Sequence, residues 1–91
     1  MLKTLEELIV VIRQRKETSA ELSYTSKLLK NKKLNIDKVK EEMEELIDAI
    51  EKDTNKVHEA ADVLYHLMVL LEANGIKIED VMNELKKRKN K

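Results

Sequence analysis

Apolar residues recur along the chain at intervals of three and four positions, the spacing that forms one face of an α-helix. The pattern predicts five helical segments, one from residue 4, one over about 18–29, and three more over about 35–53, 55–74 and 78–88. We therefore predict an all-α fold, a helical bundle of about five helices in a single domain over residues 1–91.

Polar residues mark where these segments should begin. Thr4 with Glu7, and Thr18 with Glu21, have the spacing of a capping box, in which a hydroxyl and a carboxylate each accept a backbone N–H. Residues 31–33 form a polar linker before the third segment. The sequence therefore predicts that helices start at Thr4 and at Thr18.

Composition supports helices and limits the function. There is no Pro, Phe or Trp, and the single Gly, Gly75, stands where a left-handed helix cap is expected. Eighteen basic and eighteen acidic residues cancel, so the overall basic excess that drives nucleic-acid binding is missing. Glu6 and Glu7 interrupt the N-terminal apolar run, which argues against a signal peptide or membrane span. Without cysteine, a cytoplasmic protein is expected.

The fourth segment is the unusual one. Between residues 60 and 71 every position is apolar or aromatic except Asp62 and His66. At about 100° per residue, Glu59, Asp62 and His66 fall within an arc of roughly 60°. Such a helix is buried on nearly all sides, and four other short helices could hardly surround it. We predict a homodimer, in which Asp62 is a buried charge that something must compensate.

The third segment supplies acids to face this helix. Glu42 and Glu45 are three positions apart, so both project from one side. A short connection makes the two helices antiparallel neighbours, and two carboxylates about 5 Å apart would repel by on the order of 3 kcal/mol. A hard divalent cation would convert that repulsion into binding. We predict an Mg²⁺ or Mn²⁺ site with four carboxylate ligands, Glu42, Glu45, Glu59 and Asp62.

Other readings of these residues stay open. Glutamates on a helix face are usually solvated surface, which applies to Glu44 and Glu51 and could apply to Glu42 and Glu45. His66 is interpreted as a hydrogen-bonded histidine that supports the site, ahead of a metal ligand. His58 and Asp62 match part of a zinc-protease helix motif, but the chain has no recognisable third ligand.

The carboxylate pattern resembles a known metal motif. Glu41-Glu42-x-x-Glu45, thirteen residues, and then Glu59-x-x-Asp62 is similar to the motif of the all-α nucleotide pyrophosphohydrolases, the MazG-like superfamily. Three further stretches resemble the phosphoribosyl-ATP pyrophosphohydrolase family within it: Ser23-Tyr24-Thr25-x-Lys27-Leu28, Lys38-Val39-x-Glu41-Glu42 and Glu59-Ala60-Ala61-Asp62-Val63-Leu64-Tyr65-His66-Leu67. The chain departs from that pattern at Lys40, where Gly is usual, and at Leu34-Asn35.

The resemblance implies an Mg²⁺-dependent hydrolase of histidine biosynthesis that releases pyrophosphate from phosphoribosyl-ATP, with its active site near a dimer interface. Glu41 or Glu45 is the candidate proton acceptor. The candidates for binding the nucleotide are basic and hydroxyl residues: Arg15, Ser23, Tyr24, Thr25, Lys27 and Lys38. The alternatives are a pyrophosphohydrolase of ordinary or damaged nucleoside triphosphates, and a non-catalytic helical dimerisation module.

Overall fold

The computed structural model describes residues 2–89, which form five α-helices and no β-strand. The helices are α1 (Lys3–Arg15), α2 (Tyr24–Leu29), α3 (Lys32–Lys52), α4 (Lys56–Ala73) and α5 (Ile78–Arg88). The all-α prediction is confirmed. Within this part of the chain, no helix has both the length and the hydropathy needed to cross a bilayer.

The two longest helices, α3 and α4, form a hairpin around a short turn. Asp53 and Asn55 adopt left-handed backbone conformations there, with φ of 56° and 41°. Asp and Asn tolerate this region better than other residues that carry a Cβ. An ion pair between Lys56 and Asp53 closes the turn. The hairpin therefore folds α4 back along α3, as the short connection predicts.

The core lies at the far end of this hairpin from the turn. Ile12 of α1, Leu28 of α2, and Met68 and Val69 of α4 form one buried cluster. The small helices α1 and α2 thus cover only the C-terminal half of α4. In a single subunit α4 is not buried on all sides, because within residues 2–89 only α3 packs against the half next to the turn. Burial of the remaining sides by a second subunit stays a prediction.

Large apolar side chains are exposed to solvent in the half of the hairpin that runs from the acidic residues to the turn. Val57 is 86% exposed and Ile50 is 58% exposed. Met43, Ile47 and Leu64 are also more than two-fifths exposed. Positions 43, 47 and 50 recur at helical spacing, so they share one side of α3. We call this set, Met43, Ile47, Ile50, Val57 and Leu64, the hairpin apolar face.

The predicted capping boxes are both wrong. Helix α1 begins at Lys3, so Thr4 lies inside its first turn, and no side chain caps it. Helix α2 begins only at Tyr24, where the Ser23 side chain accepts the Ser26 N–H at 3.2 Å. Thr18 contributes its backbone carbonyl instead, which accepts from Ser26 Oγ and Lys30 Nζ.

The linker predicted before α3 is also wrong. The Asn31 side chain accepts the Leu34 N–H at 3.1 Å, which caps the helix, and the following two lysines are helical. Helix α5 has the predicted bounds. Gly75 adopts φ of 71°, so the left-handed cap after α4 is confirmed.

Ion pairs attach α5 to the bundle. The Arg13 guanidinium donates two hydrogen bonds to Glu79, at 2.7 and 3.1 Å, and one to Glu72 at 3.2 Å. Lys16 also donates to Glu72, at 2.7 Å. The hydrogen bonds from Arg13 lower the pKa of Glu79 to about 2. This network joins α1, α4 and α5.

Candidate metal and substrate site

The acidic residues of α3 and α4 come together in the middle of the hairpin. Ligand atoms of Glu41, Glu42 and Glu45 lie within 4.8 Å of one another, and so do those of His58, Glu59 and Asp62. Glu45 links the two helices, because its carboxylate is close enough to Glu42 on α3 and Glu59 on α4 to raise the pKa of both. The structure therefore places all four predicted metal ligands in one cluster.

Burial and crowding disfavour the ionised forms of two of these acids. Glu42 is only 8% exposed. Burial and the neighbouring carboxylates of Glu45 and Asp62 raise its pKa. Burial and Glu45 likewise raise the pKa of Glu59. Without a positive partner, the cluster therefore holds protons that separated carboxylates would lose.

Two carboxylate oxygens in this cluster have no hydrogen-bond partner. Oε2 of Glu42 and Oε2 of Glu59 are both buried and unpaired among the described residues. A buried acceptor left unsatisfied costs about 1–3 kcal/mol. Oxygen donors aimed into one small volume are what a hard divalent cation requires. The donor set therefore fits Mg²⁺ or Mn²⁺ by its chemistry.

The location of the buried charge differs from our expectation. The Asp62 side chain is 37% exposed, so the argument from desolvation applies to Glu42 instead. Asp62 also has an unexpected neighbour, since its Oδ2 lies 3.4 Å from Nε2 of His58. Residues four positions apart on a helix are neighbours, so the sequence spacing of His58 and Asp62 already indicated this contact. His58 is 72% exposed and lies at the edge of the cluster.

His66 is buried beside the cluster and hydrogen-bonded at both ring nitrogens. Its Nδ1 is 2.8 Å from the backbone oxygen of Asp62, and its Nε2 is 3.1 Å from the hydroxyl of Tyr24. The adjacent residue of α2, Thr25, hydrogen-bonds the hydroxyl of Tyr65. Two consecutive α2 residues are thus attached to two consecutive α4 residues. Tyr65 was not among the predicted site residues.

The other predicted substrate residues lie in three different places. Lys38 pairs with Glu41 at 3.3 Å. Ser23, Tyr24 and Lys27 line an open depression of about 670 Å³. Arg15 is half-buried and, within residues 2–89, makes no side-chain hydrogen bond or ion pair, whereas Arg13 forms the ion network.

Comparison with known proteins identifies the family. A family model described as phosphoribosyl-ATP pyrophosphohydrolase matches residues 5–89. The chain belongs to this family. The match covers all five helices except the first residues of α1, so it includes the acidic cluster, the α2 segment and the hairpin turn.

Individual relatives of the phosphoribosyl-ATP pyrophosphohydrolase family agree with this assignment. The chain is 45% identical over 91 residues to a phosphoribosyl-ATP pyrophosphatase of Clostridium novyi, covering 96% of this chain and 82% of the relative. It is 40% identical over 90 residues to one of Haloarcula marismortui, covering 93% and 92%. A histidine biosynthesis bifunctional protein of Pyrococcus furiosus is 48% identical over 89 residues, and the match covers 97% of this chain but 42% of that protein.

Proposed function

We propose that the protein is a phosphoribosyl-ATP pyrophosphohydrolase, which hydrolyses phosphoribosyl-ATP to phosphoribosyl-AMP and pyrophosphate in the second step of histidine biosynthesis. The observation that carries this proposal is the pair of buried, unpaired oxygens of Glu42 and Glu59 in a member of this family. A biosynthetic reaction on nucleotide intermediates fits the cytoplasm, which we propose as its compartment.

Four side chains would hold the metal ion: Glu42, Glu45, Glu59 and Asp62. When bound, Mg²⁺ would neutralise phosphate charge and make a water molecule more acidic. The four side chains come from both helices of the hairpin, so the packing of α3 against α4 brings their oxygens together. Mn²⁺ prefers similar oxygen ligands and should substitute.

The reaction needs a group that accepts a proton from the attacking water. The water oxygen forms a bond to the α-phosphorus, the bridging P–O bond breaks, and its electron pair leaves with pyrophosphate. Glu45 lies between the two helices and is needed as a ligand, whereas Glu41 is at the edge and pairs with Lys38. We therefore assign Glu41 as the group that accepts the proton of the attacking water, with Glu45 as the alternative.

Cations near α2 would bind the phosphate groups. Lys27 lines the open depression, and Lys38 connects that side of the site to the acidic cluster through Glu41. Both ammonium groups can reach anionic oxygens without strict geometry. The substrate would thus lie across α2 and α3, with its reacting phosphate at the acids.

The hairpin apolar face supports a homodimer. Its five side chains lie on the same stretches of α3 and α4 as the acidic residues and are exposed in a single subunit. Exposed apolar patches of this kind usually mark an interface. A second copy would cover the face and complete the bundle. Light scattering should give twice the chain mass of 10.6 kDa, and a monomer would contradict the dimer.

The function is tested by phosphate-product analysis with phosphoribosyl-ATP and Mg²⁺. We expect pyrophosphate and phosphoribosyl-AMP, with ATP a poor substrate, because ATP lacks the second ribose phosphate that contributes binding energy. Equal catalytic efficiency on both would assign the chain to the generic nucleoside triphosphate hydrolases. No hydrolysis of either would favour the dimerisation module.

A further inference from the structure

The hydrogen bonds of His66 determine where the proton of Tyr24 lies. The backbone oxygen of Asp62 can only accept, so Nδ1 of His66, at 2.8 Å, must donate. In a neutral imidazole the other nitrogen then carries a lone pair. Nε2 therefore accepts from the hydroxyl of Tyr24 at 3.1 Å. Burial raises the pKa of Tyr24, so the proton is present to be donated.

The rings around Tyr24 hold this arrangement in place. Tyr65 stacks on Tyr24 with ring centroids 6.3 Å apart and planes inclined by 20°. His66 meets both tyrosines edge-on, at 5.9 and 4.9 Å between centroids. With two aromatic neighbours fixing the ring plane, the hydroxyl of Tyr24 keeps its direction toward His66.

Because its proton is donated to His66, the Tyr24 oxygen can only accept further hydrogen bonds. The residue is 48% exposed and lines the open depression beside Lys27. Phosphate oxygens carry negative charge and no proton to donate, so a lone pair repels them. Sugar hydroxyls can donate. The chemistry of this position is therefore selective for one part of a nucleotide over another.

We propose that Tyr24 is a specificity residue that accepts a hydrogen bond from a ribose hydroxyl of the substrate, and that His66 is the positioning residue that keeps Tyr24 from donating. This inference rests on the proposed function, because it concerns the sugar of phosphoribosyl-ATP. It leaves the phosphates to Lys27 and Lys38. It also explains why a histidine is buried next to the acids without being required as a ligand.

The chain offers a matched control. Tyr65→Phe removes a hydroxyl from the neighbouring ring and so breaks the bond to Thr25. It loosens α2 from α4 much as Tyr24→Phe does, yet leaves the Tyr24–His66 bond intact. An effect of Tyr24→Phe that Tyr65→Phe does not reproduce therefore belongs to the Tyr24 oxygen and not to the attachment of α2.

The kinetic test uses phosphoribosyl-ATP as substrate and pyrophosphate as inhibitor, with Mg²⁺ in excess. Tyr24→Phe should raise KM roughly five- to tenfold, the effect of one lost neutral hydrogen bond, with kcat little changed. Inhibition by pyrophosphate should stay unchanged. His66→Leu should raise KM similarly, His66→Gln should restore it because its amide oxygen can accept from Tyr24, and the Tyr24→Phe/His66→Leu double variant should be no worse than either single change.

Three kinetic outcomes would overturn the proposal. They are an unchanged KM in Tyr24→Phe, an equal rise of KM in Tyr65→Phe, and a loss of pyrophosphate inhibition in Tyr24→Phe that matches the rise of KM. The last would mean that the hydroxyl donates to phosphate.

A spectroscopic test separates this inference from the proposed function. Nitrogen-15 spectra of the imidazole at mildly alkaline pH should show the neutral His66 ring with its proton on Nδ1. A proton on Nε2, or on both nitrogens, would contradict the proton assignment even if the enzyme hydrolyses phosphoribosyl-ATP. If the wild-type protein does not hydrolyse that compound, the proposed function fails and the sugar assignment fails with it, while the spectrum still decides the role of His66.

Discussion

Glu42 and Glu45 lie one helical turn apart on α3, and their carboxylate oxygens come within 4.8 Å of each other. Burial and the neighbouring carboxylates raise the pKa of Glu42, because both disfavour its ionised form. A cation that binds there favours the ionised form of Glu42, so metal binding is coupled to the loss of its proton. Metal affinity and acidity are linked through this pair of residues.

The first prediction concerns how the free energy of unfolding depends on pH. The folded-state pKa values of Glu42 and Glu59 are raised above 4.5, so the native state holds more protons than the unfolded state once the pH exceeds that value. Stability of the metal-free protein should therefore fall as the pH rises from about 5. Denaturant titrations with and without excess Mg²⁺ would measure this. A metal-free stability that rises through neutral pH would contradict it.

At lower pH a second group acts in the opposite direction. The pKa of Glu79 is lowered to about 2 by Arg13, so its contribution is present above the ordinary value of 4.5 and is lost as the pH falls toward 2. Glu79→Gln provides the control. It should reduce the acid-side loss of stability, because only Glu72, whose pKa is also lowered by Lys16 and Arg13, then remains to contribute, and it should leave the decline above pH 5 unchanged.

The second prediction concerns Glu42→Gln. Removing the most buried acid of the described residues should relieve repulsion and raise metal-free stability by about 1 kcal/mol, or leave it unchanged. The stabilisation by Mg²⁺, roughly 2.7 kcal/mol at a hundred times the dissociation constant, should disappear, and activity with it. Thermal melting with and without Mg²⁺ measures both.

Asp62→Asn is the comparison for Glu42→Gln. Because Asp62 is more exposed than Glu42, its metal-free stability should change less, while the Mg²⁺ effect is still lost. A clear loss of metal-free stability in Asp62→Asn would assign that side chain a structural role and argue against the metal site.

The third prediction concerns Ser23. Ser23→Ala removes the cap of α2 and should cost about 1 kcal/mol of stability. Ser23→Asn keeps an oxygen that can cap, so its stability should be nearly normal. If Ser23 also contacts substrate, both variants should have a raised KM for phosphoribosyl-ATP. A normal KM in Ser23→Asn would limit the residue to capping.

The fourth prediction concerns Asn35, which is fully buried in α3. Among residues 2–89, neither its amide nitrogen nor its amide oxygen has a hydrogen-bond partner. Asn35→Leu has a similar volume and needs no partner, so it should stabilise the protein by about 1–3 kcal/mol. Denaturant unfolding measures the change. A destabilised variant would show that an ordered water satisfies the amide in solution.

Much of the fold follows from helical periodicity. The bounds of α5 and the antiparallel α3–α4 hairpin were predictable, because apolar spacing and a short connection determine them. The same two features place Glu42 and Glu45 against Glu59 and Asp62. That is why the acidic cluster could be anticipated before any packing was known.

The errors concern choices that depend on tertiary contacts. Thr18 and Ser23 are both good capping residues, and only the bond from Ser26 to the Thr18 carbonyl shows why the helix starts at the second. Similarly, Arg13 and Arg15 are two positions apart and chemically equal. Their different roles depend on where α4 and α5 lie, which local sequence does not specify.

The attachment of α5 has a consequence for how the protein responds to its solvent. The helix has no buried residue, and the charged contacts of Arg13 with Glu79 supplement its modest apolar contact. At an ionic strength of 1 M the Debye length is only about 3 Å, so these exposed charges are screened, whereas burial of apolar surface is not weakened. Concentrated salt should therefore loosen α5 first and leave the α3–α4 hairpin closed. The attachment of the C-terminal helix therefore depends on ionic strength, whereas the packing of the apolar core does not.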